Sequence, residues 1–455
     1  MVITMLLKKI ILMFLILISV NVLAYDAEIE SSNALKFSII IIFLLCYVFI
    51  ILEELIHIKK SETAIFFSSL MLIIFLLSKK KEVIYAKLIL NHFLYTYCEL
   101  FLFLFVIMIY INSLKELHFF DFLKNKIILK QLSFKQIYFF TGIFSFLMSP
   151  FIDNLTTALI MSSIILCITD DASFVNFSCI NIVVASNAGG VFSPFGDITT
   201  LMIWQSGMLK FSSFFKLFFP SLMSFIIPSI IMSFYIKNST SFLNTSIYKI
   251  KLSLDIKIIL FLFFLTISCA IFFQSYLNVS SVFGMMLGFS FLQFFYFFKN
   301  KNNICFFNHI FNIEWETLLF FYGIMLCIVV LDLAGILTDL SYFLYYNFGL
   351  SSVHDKTVSN IFLGLCSSII DNIPITFLIL NMKINMSDGQ WLLLTYTVAT
   401  GGSLLSIGSA AGIAVMGQAK KKYTFYSHFK WSWVILIGYF FGIISHIVIN
   451  YKLFN

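Results

Sequence analysis

The sequence predicts an all-α polytopic membrane protein made of two inverted repeats, each with a re-entrant helical hairpin and a broken transmembrane helix. Three observations carry that expectation. The 455-residue chain is 60% hydrophobic, with a mean hydropathy of +1.00 and only 11% charged residues. Its apolar residues fall into long runs separated by short polar loops. Two unrelated motifs recur in the same order in the two halves of the chain.

An average soluble domain carries roughly 25% charged residues. A water-soluble globule with so few could not cover its surface, so the composition excludes a soluble enzyme, a disordered chain and a collagen-like fibre. All 29 basic residues are lysine, so the chain lacks the bidentate arginine fork that clamps phosphate or carboxylate. Phe, Ile, Lys and Asn are abundant, the bias of AT-rich coding, so part of this pattern is mutational. The net charge of +7 is no mark of nucleic-acid binding, because the lysines sit in loops and serve better as topological markers. The eight cysteines lie singly, with no CxxC and no Cys/His cluster at metal spacing, and read as small hydrophobes.

Residues 1–24 read as a signal peptide. Lys8 and Lys9 precede the apolar run Ile10–Val20, and Ala24 ends a small-residue cleavage site; an uncleaved first membrane helix is the alternative. The first membrane repeat with its preceding helices occupies 25–236, a cytoplasmic loop 237–257 and the second repeat 258–455. Apolar runs follow at about 35–52, 63–78, 91–111, 136–148, 158–169, 176–206, 211–236, 256–274, 280–298, 315–331, 357–381, 390–417 and 431–450. Backbone in lipid must satisfy its own hydrogen bonds, so these runs are helices. Several are short or interrupted by Gly, Pro and polar residues. Such backbone survives at membrane depth only against protein or a water-filled cavity, so the interruptions are where function is sought.

Ile152-Asp-Asn-Leu155 recurs as Ile370-Asp-Asn-Ile373, and Asn187-Ala-Gly-Gly190 through Gly196 recurs as Ala399-Thr-Gly-Gly402 through Gly408. Matched interrupted segments in two halves point to a transporter site near the bilayer midplane. If each Asp-Asn segment is a hairpin that returns to its own side, 17 lysines, among them Lys59, Lys135, Lys257, Lys299 and Lys422, fall on the cytoplasmic side. Eight, among them Lys210, Lys216, Lys356 and Lys383, fall outside. The positive-inside rule favours this arrangement, which inverts the repeats. The cluster Lys79–Lys81 on the outer side fits it least.

Asp153 and Asp371 lie in apolar surroundings, where an aspartate costs about 2.5–3.5 kcal/mol at the bilayer centre. Each is followed by an amide, Asn154 or Asn372, and Thr156, Thr157 and Thr376 add hydroxyls. Carboxylate, amide oxygen, hydroxyl and backbone carbonyl suit a hard cation such as Na+ or Li+. Asp, Asn and Thr are also good helix caps at the return of a hairpin, and the two roles can overlap. The first Gly-Gly segment offers Asn187, Gly189, Gly190, Ser193, Pro194, Gly196 and Thr200 as broken-helix backbone, its glycines and Pro194 preclude an unbroken helix, and Asp197 adds a third buried carboxylate. In the second, Gly401, Gly402, Ser403, Ser406 and Gly408 do the same, with Ser409 in register with Asp197. Close helix packing through small residues is the blander reading of both. Glu99, inside an apolar run, is a candidate proton-coupling group, with snorkelling to the interface as the alternative. The seven histidines show no clustering, so neither a metal site nor a pH sensor is expected from them.

Phe151-Ile-Asp-Asn-Leu-Thr-Thr157, Asn187 through Thr200, Ile370-Asp-Asn-Ile-Pro374 and Thr400 through Gly412 together resemble the NhaD-type sodium/proton antiporters of the ion transporter superfamily. Glu99, Leu318 through Gly323, Ala334 through Leu337 and Trp433 through Gly442 extend the resemblance over most of the chain from about residue 35. It implies two hairpins, two broken helices and exchange of Na+ or Li+ for H+ in the bacterial inner membrane. Asn112 is a departure, since the family pattern leads one to expect an acid there.

The favoured mechanism is antiport, in which Asp153, Asp197 and Asp371 alternate between proton and cation, with Na+ held at Asp153, Asn154, Asp371 and Asn372. The expected partners are Na+, Li+, H+ and the lipid bilayer, with a homodimer as an open assembly and no nucleic acid. Beyond the transported ions no cofactor is expected, and no enzyme activity. An anion carrier of the same superfamily, for dicarboxylate or arsenite, is the alternative. An intramembrane aspartyl protease is disfavoured, because Asp197 follows Pro194-Phe-Gly196 and no GxGD motif is formed.

Overall fold

The computed structural model describes residues 30–51, 53–56, 58–79, 83–128, 132–236, 253–299, 310–347 and 356–454. The expected signal peptide, Lys80 and Lys81, and loop residues 237–252 lie outside them. Among the described residues every regular element is helical. In chain order the α-helices of five or more residues are α1 (Glu30–Ile51), α2 (Lys60–Ser78), α3 (Val83–Glu116), α4 (Phe119–Ile128), α5 (Phe134–Ile152), α6 (Asn154–Ile168), α7 (Ala172–Gly190), α8 (Ile198–Gln205), α9 (Phe218–Ser233), α10 (Leu254–Ser275) and α11 (Ser281–Lys299). Then come α12 (Trp315–Leu333), α13 (Ile336–Tyr342), α14 (Thr357–Cys366), α15 (Asn372–Asn381), α16 (Asp388–Gly401), α17 (Ala410–Ala419), α18 (Phe425–Phe429) and α19 (Ser432–Ile449).

Nine of the thirteen apolar runs give a described helix long and apolar enough to cross a membrane. The other four runs end or split at the Asp-Asn or Gly-Gly motifs. Residues 136–148 and 158–169 become α5 and α6, which meet at Asp153. Residues 357–381 become α14 and α15, split before Asp371, and 390–417 become α16 and α17, split by the second Gly-Gly segment. Run 176–206 splits into α7 and α8 at the first. The lysine-bearing stretch after α3, expected as loop, contains the ten-residue α4.

Two compact units cut across the sequence halves. One takes described residues up to Phe101, Glu314–Leu344 and Phe377–Lys383. Its centre is α2 against α12, where Gly323 lets the backbones meet at Ala64. Lys59 pairs with Glu316 at 3.3 Å, Lys36 with Asp339 at 2.6 Å, and the Tyr97 hydroxyl donates to Leu318 O at 3.1 Å.

The other unit takes Leu102–Ile313, Tyr345–Thr376 and Ile384–Asn455. Here α10 packs on α11 through the Gly284-Met-Met-Leu-Gly288 spacing, whose small residues admit a neighbouring helix. The Tyr110 hydroxyl closes that contact, donating to Gly288 O at 2.8 Å. The two halves of the sequence match in detail inside this unit. Ser149 Oγ donates to Ser186 O at 2.6 Å, and Ser367 Oγ to Val398 O at 2.7 Å. Gly189 packs against Phe146 O, and Gly401 against Gly364 O. These are equivalent positions in the repeat, so each first hairpin arm seats on its broken helix through the same two contacts. The hairpins also close alike. Phe134 at the start of α5 stacks on Phe174 beyond the end of α6, with ring centroids 4.3 Å apart. Lys356 before α14 donates to Asn385 O beyond α15.

Candidate functional site

Four chain breaks build the site, all within the second unit. At the first hairpin tip Asp153 ends α5 and caps α6, its carboxylate accepting from Thr156 N at 2.8 Å and Thr156 Oγ1 at 2.9 Å. Its backbone has φ 79° and ψ 157°, a region essentially reserved for glycine. At the second tip Asp371 precedes α15, which begins at Asn372. In the first broken helix the chain leaves α7 at Gly190, turns through Ser193, Pro194 and Gly196, and re-enters helix after Asp197. The second leaves α16 at Gly401 and re-enters α17 after Ser409.

The breaks are pinched by paired glycines. A Cβ on Gly190 would stand 2.6 Å from Gly196 O, and one on Gly196 2.5 Å from Gly190 O. Gly402 and Gly408 repeat the contact, each with a Cβ position 2.7 Å from the other's carbonyl. Real Cβ atoms do not tolerate such distances, so only glycine allows either loop to close. Thr200 Oγ1 braces the first loop by donating to Ser193 O at 2.9 Å and Asp197 O at 2.6 Å. Ser403 Oγ donates to Thr400 O at 2.7 Å in the second, and Ser406 Oγ meets Met416 Sδ at 3.2 Å.

Asp197 is the hub. Only 4% of it is exposed. Its Oδ2 accepts from Asn372 Nδ2 at 2.8 Å and Asn154 Nδ2 at 3.2 Å, and its Oδ1 from Thr199 N at 3.3 Å. Asn154 Nδ2 also reaches Asn187 Oδ1 at 3.2 Å, and Asn187 Nδ2 reaches Ser409 Oγ at 3.2 Å. One network therefore joins both hairpin tips and both broken helices. Asp197 and Ser409, in register in the repeat, hold the same capping geometry, with φ and ψ of −146° and 149° against −142° and 146°. Asp153 and Asp371 lie within electrostatic reach of Asp197. The buried hydroxyls of Thr157 and Thr199 have no hydrogen-bond partner among the described residues.

The arrangement redistributes the expected roles. The sequence puts the weight on Asp153 and Asp371 with the amide oxygens of Asn154 and Asn372. In the structure both amide nitrogens point at Asp197, and the Asp153 carboxylate is engaged as a helix cap. Thr376 Oγ1 is spent on Asn372 O at 3.0 Å. Glu99 lies on α3 in the first unit and accepts from the Tyr95 hydroxyl at 2.8 Å. Asn112 donates to Asn312 O at 3.0 Å. Thr199, just after Asp197, is noticed in the sequence as a hydroxyl; Ser149 carries a role that the motifs alone did not single out, and its signal was adjacency, one turn before Asp153. Carboxylate, amide, hydroxyl and open backbone together form an all-oxygen donor set, which suits a hard monovalent cation carried as substrate.

A family profile described as citrate transporter matches residues 47–401. An "Na(+)/H(+) antiporter NhaD" of Alkalimonas amylolytica is 39% identical, the alignment covering 93% of this chain and 93% of that protein. The protein of the same name from Vibrio cholerae is 38% identical over 93% and 94% of the two chains. "Sodium/proton antiporter 1" of Arabidopsis thaliana is 28% identical over 70% and 56%. Agreement over nearly the whole length of the bacterial relatives, together with the profile match, shows that this chain belongs to the NhaD antiporter family.

Proposed function

We propose that the chain is a multi-pass secondary transporter of the bacterial inner membrane that exchanges Na+, or Li+, for H+. Cation and proton compete for Asp197 and its neighbours Asp153 and Asp371. A carboxylate that holds a proton is a poor cation ligand, so sharing the acids is sufficient for exchange.

One observation carries this reading over the anion alternative. The N-termini of α6, α8, α15 and α17 meet through a single hydrogen-bond network. A helix N-terminus carries about half a positive charge and by itself invites an anion. Here Asp153, Asp197 and Asp371 stand at three of the four, and Ser409 at the fourth. The protein's own carboxylates occupy the anion positions, and what remains is a buried excess of negative charge for a cation or proton to neutralise. Because the profile match is described by citrate, a citrate carrier is the second reading, and it lacks a cationic side chain in this network.

The inverted-repeat architecture has support of the same kind. α6, α14 and α15 have 15, 10 and 10 residues, or roughly 22, 15 and 15 Å, too short for a hydrocarbon core of about 30 Å. Each hairpin has its two ends together, as a re-entrant segment requires. Lys59 with Glu316, Lys299 with Asp255, Lys422 with Asp170, Lys356 with Asn385 O, and Asn450 with Lys216 O each join loops assigned to one side by the lysine count. Alternating access would come from movement of the hairpin-bearing helices.

Everted vesicles with an acid interior and a pH dye test the function. Na+ or Li+ is expected to dequench the dye and citrate to leave it unchanged. A response to citrate alone contradicts the reading.

A further inference from the structure

We propose that His428 is a positioning residue of the cation site, which fixes the unwound segment between α16 and α17 and, through it, Ser409. The proposal rests on the antiport reading above. α18 has only five residues and lies in the connection between α17 and α19, yet His428 on it is fully buried. Both ring nitrogens are engaged. Nε2 is 2.9 Å from Ser403 O, and Nδ1 is 2.7 Å from the Tyr423 hydroxyl. A carbonyl only accepts, so Nε2 carries the hydrogen, and in the neutral ring the Tyr423 hydroxyl donates to Nδ1. Ser432, the first residue of α19, donates to the next carbonyl, Leu404 O, at 2.6 Å.

Two successive carbonyls beyond the end of α16 are therefore tied from outside their own segment. Such carbonyls have no intrahelical partner and would otherwise turn to water or to an ion. The first break is braced from within, by Thr200 on Ser193 O. In the second, Gly412 stands in register with Thr200 and has no side chain to do this; α18 and α19 instead hold the carbonyls of Ser403 and Leu404. The tied segment ends at Ser409, whose Oγ accepts from Asn187 Nδ2, and Asn187 Oδ1 accepts from the same Asn154 amide that reaches Asp197. A displaced Ser403 carbonyl would shift Ser409 and open the network on the side where the repeat carries serine instead of aspartate.

The test is Na+-driven proton exchange by the purified full-length protein in liposomes, with thermal unfolding measured alongside. His428→Phe keeps the ring and loses both hydrogen bonds; His428→Gln keeps a donor for Ser403 O and an acceptor for Tyr423. The His428→Phe protein is expected to need about tenfold more Na+ for half-maximal exchange, with maximal rate little changed and the melting temperature lowered by only a few degrees by the groups left unpaired. His428→Gln is expected to stay within about threefold of wild type. A His428→Phe protein with wild-type half-saturation overturns the proposal. So does a His428→Gln protein as impaired as His428→Phe, or a defect matched by loss of folded protein. Wild type without exchange overturns the antiport reading and this proposal with it.

Discussion

Asp153 is a residue at odds with its own backbone. A non-glycine at φ 79° and ψ 157° costs about 1–3 kcal/mol, and cap hydrogen bonds to Thr156 offset only part of that. The carboxylate is therefore held where glycine would rest more easily. Asp153→Gly should leave the melting temperature unchanged or raise it by a few degrees, about 1 kcal/mol, while abolishing exchange. A variant that is both destabilised and active would refute the strain argument. Asn372 makes the shorter of the two amide bonds to Asp197, and removing a hydrogen bond to a buried charge costs about 1.5–3 kcal/mol. Asn372→Ala is expected to weaken apparent Na+ affinity by about 10- to 100-fold at fixed pH, read from half-maximal dequenching.

At the scale of elements, the breaks depend on backbone meeting backbone. Gly401 lies against Gly364 O, so a methyl group there must push the first arm of the second hairpin off its broken helix. Overpacking of this kind costs about 1–3 kcal/mol, and Gly401→Ala should lower both the melting temperature and the yield of folded protein. Gly417, which has open space around it, serves as the control, and Gly417→Ala should be neutral. Much of this was legible in the sequence. Gly-Gly, Pro194 and the paired Asp-Asn motifs marked the four breaks of the site, because clustered glycine and polar residues stand out in so apolar a chain. The partners of the motifs were less legible. Asn154, Asn187, Asn372 and Ser409 stood out as polar residues in apolar runs, but amide and hydroxyl groups serve equally as ligands, caps and hydrogen-bond donors. Only the fold decides that both hairpin amides turn their nitrogens to Asp197. His428 gave no signal at all, since a lone histidine beside Lys430 reads as a solvated surface residue until the chain returns it to Ser403. α4 went unread because lysines at its end marked the stretch as loop.

For the whole molecule, inverted repeats require that the two hairpins open to opposite faces of the membrane. In a cysteine-free background, a single cysteine at Lys422 should react with a membrane-impermeant thiol reagent only in everted vesicles, and one at Lys216 only in intact cells. Both reacting from one face would remove the inversion of the repeats. In the proposed mechanism one buried carboxylate, Asp197, hydrogen-bonded across both halves, is where Na+ and H+ compete. Its most direct test is dye dequenching on addition of Na+ to acid-loaded everted vesicles carrying wild-type protein or Asp197→Asn. Asparagine keeps the size and some of the hydrogen bonding and removes the charge. Dequenching is expected with wild type and not with Asp197→Asn present at equal amount in the membrane. Dequenching of equal extent and Na+ dependence in both would contradict that mechanism.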